Sequence, residues 1–112
     1  MKKKIYIAGK VTGENKEDCI AKFAQAKSWV ESRGFEAVNP LEVVGEWNTT
    51  WDKAMRMCIA KLTECDGILL LEDWKLSKGA KVEFDIAMAL NIPKFRGSFF
   101  GLEKLSDYKW NN

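Results

Sequence analysis

Apolar and polar positions alternate along this chain in blocks whose period changes from block to block. Residues 68–71, Ile-Leu-Leu-Leu, form an apolar run with no polar interruption. Such a run predicts a strand covered on both faces, as in a parallel sheet. Residues 3–8 and 35–38 read as two further short strands. Residues 92–95, Ile-Pro-Lys-Phe, read as a fourth, whose proline points to a sheet edge. Between these blocks the spacing becomes helical. Ile20, Phe23, Ala24, Ala26, Trp29 and Val30 define one helix, capped by Asn15 with Asp18 three residues on and ended by Gly34. Trp51, Met55, Cys58, Ile59 and Leu62 form the buried stripe of a second, begun by Thr49 or Thr50, with Asp52 at the positive end of its dipole. Residues 77–91 give a third, which Ser77 can cap. Residues 41–48 read as an irregular connection with a short turn.

Strand and helix therefore alternate four strands deep, which predicts an α/β domain spanning residues 1–112. Right-handed crossovers then arrange a small parallel sheet in the order 2-1-3-4 with helices on both faces, a flavodoxin-like three-layer sandwich. Ligands in such sheets bind beyond the carboxyl ends of the strands, where the order reverses between strands 1 and 3. That geometry brings the glycine-bounded loop at 9–13 beside Asp73, Trp74, Ser77 and the first turns of the third helix. Residues 97–112 are too apolar for a disordered tail, with Phe99, Phe100, Leu102, Leu105, Tyr108 and Trp110 among them. They predict a docked helical turn or a contact with a second subunit.

Composition narrows the chemistry more than the fold. A length of 112 residues suits one core, and 46% hydrophobic with 30% charged residues is ordinary for a globular protein. The formal charge of +2 is too small to argue for a nucleic-acid polymer or a membrane surface as partner. The lysines at 2–4 precede an apolar stretch too short for a signal peptide, and no stretch approaches spanning length. Three cysteines, Cys19, Cys58 and Cys65, lie within helical or strand patterns and read as reduced thiols of a cytoplasmic protein. The chain has no histidine. Histidine-activated serine or cysteine nucleophiles and His-based zinc sites are thereby excluded, and no metal or cofactor is expected. Chemistry must rest on carboxylates, hydroxyls, lysines, arginines or backbone dipoles.

One carboxylate is out of place. Glu83 shares its helical stripe with Gly79, Ala80, Ala87 and Leu90, the small and apolar side of the third helix. A carboxylate at the edge of a buried face is costly unless it has a partner or faces a ligand cavity; the bland alternative is a solvated helix glutamate. Tyr6 is either a packed strand tyrosine or a site residue. Trp74 either stacks on a ligand or packs on the sheet edge. Ser77 caps its helix whether or not it meets a phosphate. Asp66 belongs to the amino end of its strand, opposite the crevice, as a turn or cap residue.

Ile-Tyr-Ile-Ala-Gly at 5–9, Cys65-Asp66, and Trp74-x-x-Ser77-x-Gly79-Ala80-x-x-Glu83 together resemble the nucleoside 2-deoxyribosyltransferase superfamily, over about residues 3 to 95. The resemblance implies a flavodoxin-like fold and cleavage of the N-glycosidic bond of 2-deoxynucleosides or their 5'-monophosphates. Glu83 would be the nucleophile and Tyr6 the group that orients it. Gly9, Lys10, Asp73, Trp74, Ser77 and Gly79 would line the substrate site. The deoxyribosyl group would pass to another base or to water. Serine at 77, where the family's nucleoside transferases tend to carry an acid, favours a phosphorylated ligand at a helix N-terminus, with Lys10, Lys75 and Lys78 adding positive potential. The resemblance further implies a homodimer. The sequence departs from the family's enzymes at Cys58, where they carry an aspartate facing the base. Protonation of the leaving group then falls to Asp73, Asp52 or water, and a non-catalytic nucleotide-binding module of the same fold is the alternative.

Overall fold

A computed structural model describes residues 1–110, apart from the side chain of residue 99; residues 111 and 112, which the domain reading included, lie outside the described residues. Strand β1 (Lys4–Ala8) leads through α1 (Lys16–Ser32) to β2 (Glu36–Val38). The helices α2 (Pro40–Val44) and α3 (Trp51–Leu62) follow, then β3 (Gly67–Leu70), a 3-10 turn (Trp74–Leu76), α4 (Lys78–Ala89), β4 (Lys94–Arg96) and α5 (Phe99–Asp107). The four strands form one parallel sheet in the order β2-β1-β3-β4. Tyr6 stands opposite Val38 on one side and Ile68 on the other. This is the flavodoxin-like α/β arrangement that the strand runs predict, with β4 at an edge and beginning just after Pro93.

The period-2 alternation of β1 divides the core. Ile5 and Ile7 face α1 and α5 and pack with Phe23, Val30, Leu69 and Leu105. Tyr6 and Ala8 face α3 and α4 and pack with Leu62, Ile68, Ala80 and Ala87. Among the described residues the buried polar or charged side chains are Glu83, which meets Tyr6, and Asn39, which caps α2. Caps fix the helix starts: Asn15 accepts from the Asp18 amide, Thr50 from Lys53 and Ser77 from Ala80.

Three readings of the pattern change in detail, and for the tail the structure takes one of the two alternatives. Residues 40–44 are helical, because Asn39 caps, Pro40 supplies the first-turn φ, and Gly45 ends the turn at φ 80°. Ile20 and Trp29, on the apolar stripe of α1, are solvent-facing. Leu90 lies beyond the end of α4 and is exposed, so the inward stripe of that helix closes at Ala87. The tail is docked: Leu102 and Leu105 are buried, and Trp110 meets the rings of Phe35, Phe95 and Tyr108. A Cβ on Gly101 would overlap the Arg96 carbonyl, so α5 sits against the β4 backbone at a position only glycine allows. Among the described residues no helix is long and apolar enough to cross a membrane.

Candidate active site

At the carboxyl ends of the strands, where the chain leaves β1 toward one face and β3 toward the other, lies a cleft of about 590 Å³. Its floor holds Tyr6, Cys58 and Glu83. One wall is the start of α4, with Ser77, Gly79 and Ala80. The other walls come from the 9–16 loop, α2, and the segment from Trp47 to Met55. The volume is typical of small-molecule pockets.

Local structure explains why a carboxylate reaches this floor. Ser77 starts α4 immediately beyond the 3-10 turn, so Glu83 falls on the face that packs against β1 and β3. The neighbours one turn away, Gly79, Ala80 and Ala87, are small, and the helix lies close to the sheet. Glu83 is 5% exposed, and its Oε2 accepts a 2.6 Å hydrogen bond from the Tyr6 hydroxyl. Tyr6 itself is fully buried. Burial pushes Glu83 up to about 7, against the opposing pull of the Tyr6 hydrogen bond. Burial and the adjacent carboxylate hold the Tyr6 hydroxyl well above its ordinary range, so it remains a donor. No cation pairs with Glu83 among the described residues' ion pairs. The floor therefore presents a carboxyl group balanced between its charged and neutral forms near neutral pH. Cys58, beside Tyr6, is pushed by burial up to about 11 and stays a neutral thiol.

Asp73 is employed differently. Its Oδ1 accepts from the Lys10 backbone amide at 3.0 Å and its Oδ2 from Lys22 Nζ at 2.7 Å. Burial raises its pKa, but Lys22 and the Lys10 amide together hold the group below the ordinary value. Lys22 also bonds the Lys10 carbonyl and Glu14, so this clasp ties the 9–14 loop to α1 and to the end of β3. Gly9 lines the cleft, yet a Cβ there would press on Leu71 and Asp73. Its first duty is to let the loop and the clasp close up.

Of the residues the sequence singled out, Tyr6, Glu83, Gly9, Ser77 and Gly79 line one cleft. Lys10, Asp73 and Trp74 are not among its lining residues. The Trp74 ring packs at a tilt against Phe84 of α4, with centroids 4.6 Å apart, so its ring contact is with a helix rather than with the sheet edge. Lys75 lies over Trp74, and Lys78 over Trp51, rather than toward the floor. Asp66 accepts from the Lys4 amide at the opposite end of the sheet, as its place in the strand requires. Asp52 stays at the exposed start of α3, away from the lining. Sequence reasoning missed Ile20, Leu41, Val44, Trp47 and Met55 as cleft residues. An apolar stripe that faces a cleft has the same spacing as one that faces a core. Only the Asn39-Pro40…Gly45 punctuation could have signalled α2.

The fold and this floor define a flavodoxin-like α/β protein with a carboxyl–phenol pair buried beneath an open cleft. The chain belongs to the family described as a domain of unknown function (DUF4406), which matches residues 3–94. No curated protein matches it in sequence.

Proposed function

We propose that the protein cleaves the N-glycosidic bond of 2-deoxynucleosides or their 5'-monophosphates through Glu83. The observation that carries this reading is the 2.6 Å bond from the Tyr6 hydroxyl to a glutamate that is almost wholly buried and lines the cleft floor. A carboxylate that burial has made reluctant to hold charge gains most when a cationic centre develops beside it. The anomeric carbon of a deoxy sugar is such a centre, because no 2-hydroxyl withdraws electrons from it. As the C1'–N bond breaks, the base leaves with the bonding pair, and one Glu83 oxygen bonds to C1'. Tyr6 holds the other oxygen and fixes the carboxylate plane. Water, or a second base, then attacks C1' and returns Glu83. The proton for the leaving base comes from water: Asp73 and Asp52 lie outside the lining, Asp73 being committed to Lys22, and of the lining carboxylates besides Glu83, Glu14 pairs with Lys22 and Glu46 with Lys53. Ser77 and the first amides of α4 favour a phosphate at the sugar's 5' end.

Incubation with a panel of deoxynucleoside monophosphates, followed by chromatography, tests the reading. Free base is expected from deoxynucleotides and not from ribonucleotides, and none from Glu83→Gln. Base release at the wild-type rate from Glu83→Gln removes Glu83 from the role. A second reading, a nucleotide-binding module without turnover, is favoured by Cys58, a neutral thiol at the floor where an acid would assist the leaving base. Calorimetric binding with no base release would select it. A homodimer belongs to the first reading and is supported by the exposed Leu76, Met88 and Leu90; a monomer in light scattering would remove it.

A further inference from the structure

Glu83 is the one carboxylate that the core buries among the described residues, and it faces the cleft with no cation beside it. Its Oε2 accepts from the Tyr6 hydroxyl, while its Oε1 meets no donor among the described residues. A carboxylate withdrawn from water and left without a counter-charge attracts a cation placed against it far more strongly than a solvated one does. Such a cation also draws the group to its charged form, the form that can bond to carbon. The described residues bring no cation to that oxygen, so a ligand is the place for it.

The same cleft is poor in groups that could hand a proton to a departing base. Its titratable lining side chains among the described residues are Tyr6, Glu14, Lys16, Glu46, Cys58 and Glu83. Tyr6 spends its proton on Glu83. Burial pushes the Cys58 thiol up to about 11. Glu14 faces Lys22 at 3.0 Å and Glu46 faces Lys53 at 3.4 Å. Lys16 opens α1 and is exposed to solvent. Thr12, Thr49, Thr50 and Ser77 also line the cleft, and the Thr49 hydroxyl is buried without a partner. Such hydroxyls offer hydrogen bonds to a ligand but keep their protons. A neutral base leaves C1' as an anion unless it is protonated, and a positioned acid is worth about 10²–10⁴-fold in that step. A base that already carries a positive charge needs no such help.

We infer that the preferred substrates are N-glycosides of 2-deoxyribose whose base is permanently cationic, either alkylated on a ring nitrogen or of the pyridinium type, with Glu83 as both counter-charge and nucleophile. The inference rests on the glycosidase reading above and names the substrate class for the same cleft. As the C1'–N bond breaks, its electron pair enters the cationic ring and the base departs neutral. Glu83 Oε1 bonds to C1' while Tyr6 keeps Oε2. Water then attacks C1', the bond from C1' to Oε1 breaks, Glu83 returns as a carboxylate, and the extra proton of the water goes to solvent. No step draws a proton from the protein.

Base release followed by chromatography at pH 6, with the wild-type protein and without protein, provides the test. The probes are dGMP, its 7-methyl derivative, whose purine is cationic, and nicotinamide 2-deoxyriboside 5'-phosphate, which carries its charge on a different ring. For each probe, kcat/KM divided by the spontaneous rate constant gives an enhancement free of the probe's own lability. This enhancement is expected to be at least as large for the two cationic probes as for dGMP. An acid in the protein would serve only the neutral base and lift dGMP above the others by about 100-fold; an enhancement larger for dGMP than for both cations overturns the inference. Lys16→Met should leave all three enhancements unchanged, and a loss confined to dGMP also overturns it, by making Lys16 the acid. Glu83→Gln should lower the enhancement of both cations by at least ~10³-fold, and one that survives removes Glu83 as counter-charge and nucleophile. The parent reading fails in its own way: no enhancement for any probe removes both, whereas enhancement led by dGMP keeps the glycosidase and removes only the cationic preference.

Discussion

Two acidic side chains sit near the carboxyl end of β3, and the protein treats them in opposite ways. Asp73 is met by an ammonium and a backbone amide, and its pKa falls. Glu83 is met by a neutral phenol in an apolar layer, and its pKa rises to about 7. Both are partly or fully withdrawn from water, so burial alone does not separate them. The identity of the partner does. A paired carboxylate becomes a fastener; one that has only a hydrogen bond keeps free energy in reserve for a ligand that brings positive charge.

Removal of the Glu83 carboxylate is expected to produce the largest effect. Glu83→Gln keeps the Tyr6 contact and the volume, and should lower base release from deoxynucleotides by at least ~10³-fold, while the thermal midpoint at pH 8 holds or rises. Tyr6→Phe comes next. It deletes the one hydrogen bond that favours the charged carboxylate, so the pH midpoint of the rate should move above its wild-type position near 7, with about a tenfold or greater loss at neutral pH. A pH–rate profile reads both numbers. An unmoved midpoint would mean that the phenol only packs.

The same contrast predicts opposite stability slopes. The pKa of Glu83 rises on folding from 4.5 to about 7, so its contribution is fully present below about 4.5 and is lost as pH climbs through 7. At 1.36 kcal/mol per unit that change is roughly 3 kcal/mol. The pKa of Asp73 falls on folding, so its contribution is present above the ordinary carboxylate value and disappears as the solution is acidified. Denaturant titrations at pH 5 and pH 8 should show a decline toward pH 8 that Glu83→Gln abolishes. Asp73→Ala should cost about 1–3 kcal/mol at pH 7 by orphaning the Lys10 amide, and Lys22 keeps Glu14 as a partner. A Glu83-like loss of activity with no loss of stability in Asp73→Ala would reverse the two assignments. The smallest change is expected from Gly79→Ala. The new methyl meets the Met55 sulfur at 3.0 Å, a contact a flexible thioether can relieve, and helix propensity offsets part of the strain. Stability should stay within about 1 kcal/mol, with the effect confined to the Michaelis constant.

What could be read from the residues alone follows the same division between local and distant. The strands, the long helices and three caps are local signals, and they were legible because Asn15, Thr50 and Ser77 act within three residues of themselves. The predicted strand order by itself brought together the 9–13 loop and the start of α4; the meeting of Tyr6 with Glu83 was legible only through the resemblance to the nucleoside 2-deoxyribosyltransferase superfamily. The Asp73–Lys22 clasp was not, because the two lie 51 positions apart on elements whose relative rotation no periodicity encodes. Asp73 and Trp74 consequently looked like ligand contacts from their place beside the crevice. Trp51 and Met55 looked like core because an amphipathic stripe does not say what covers it.

The aromatic seal at the far end of the sheet has a consequence for how the molecule comes into being. Tyr108 and Trp110 close over Phe95 and Phe35, yet a ribosome makes them after every strand they cover. Until they emerge, the amino ends of the strands remain wet and Gly67 lacks the indole that shields it. Maturation of this core therefore waits for its last-synthesised rings, and a nascent chain halted before them should be open to proteases at that end.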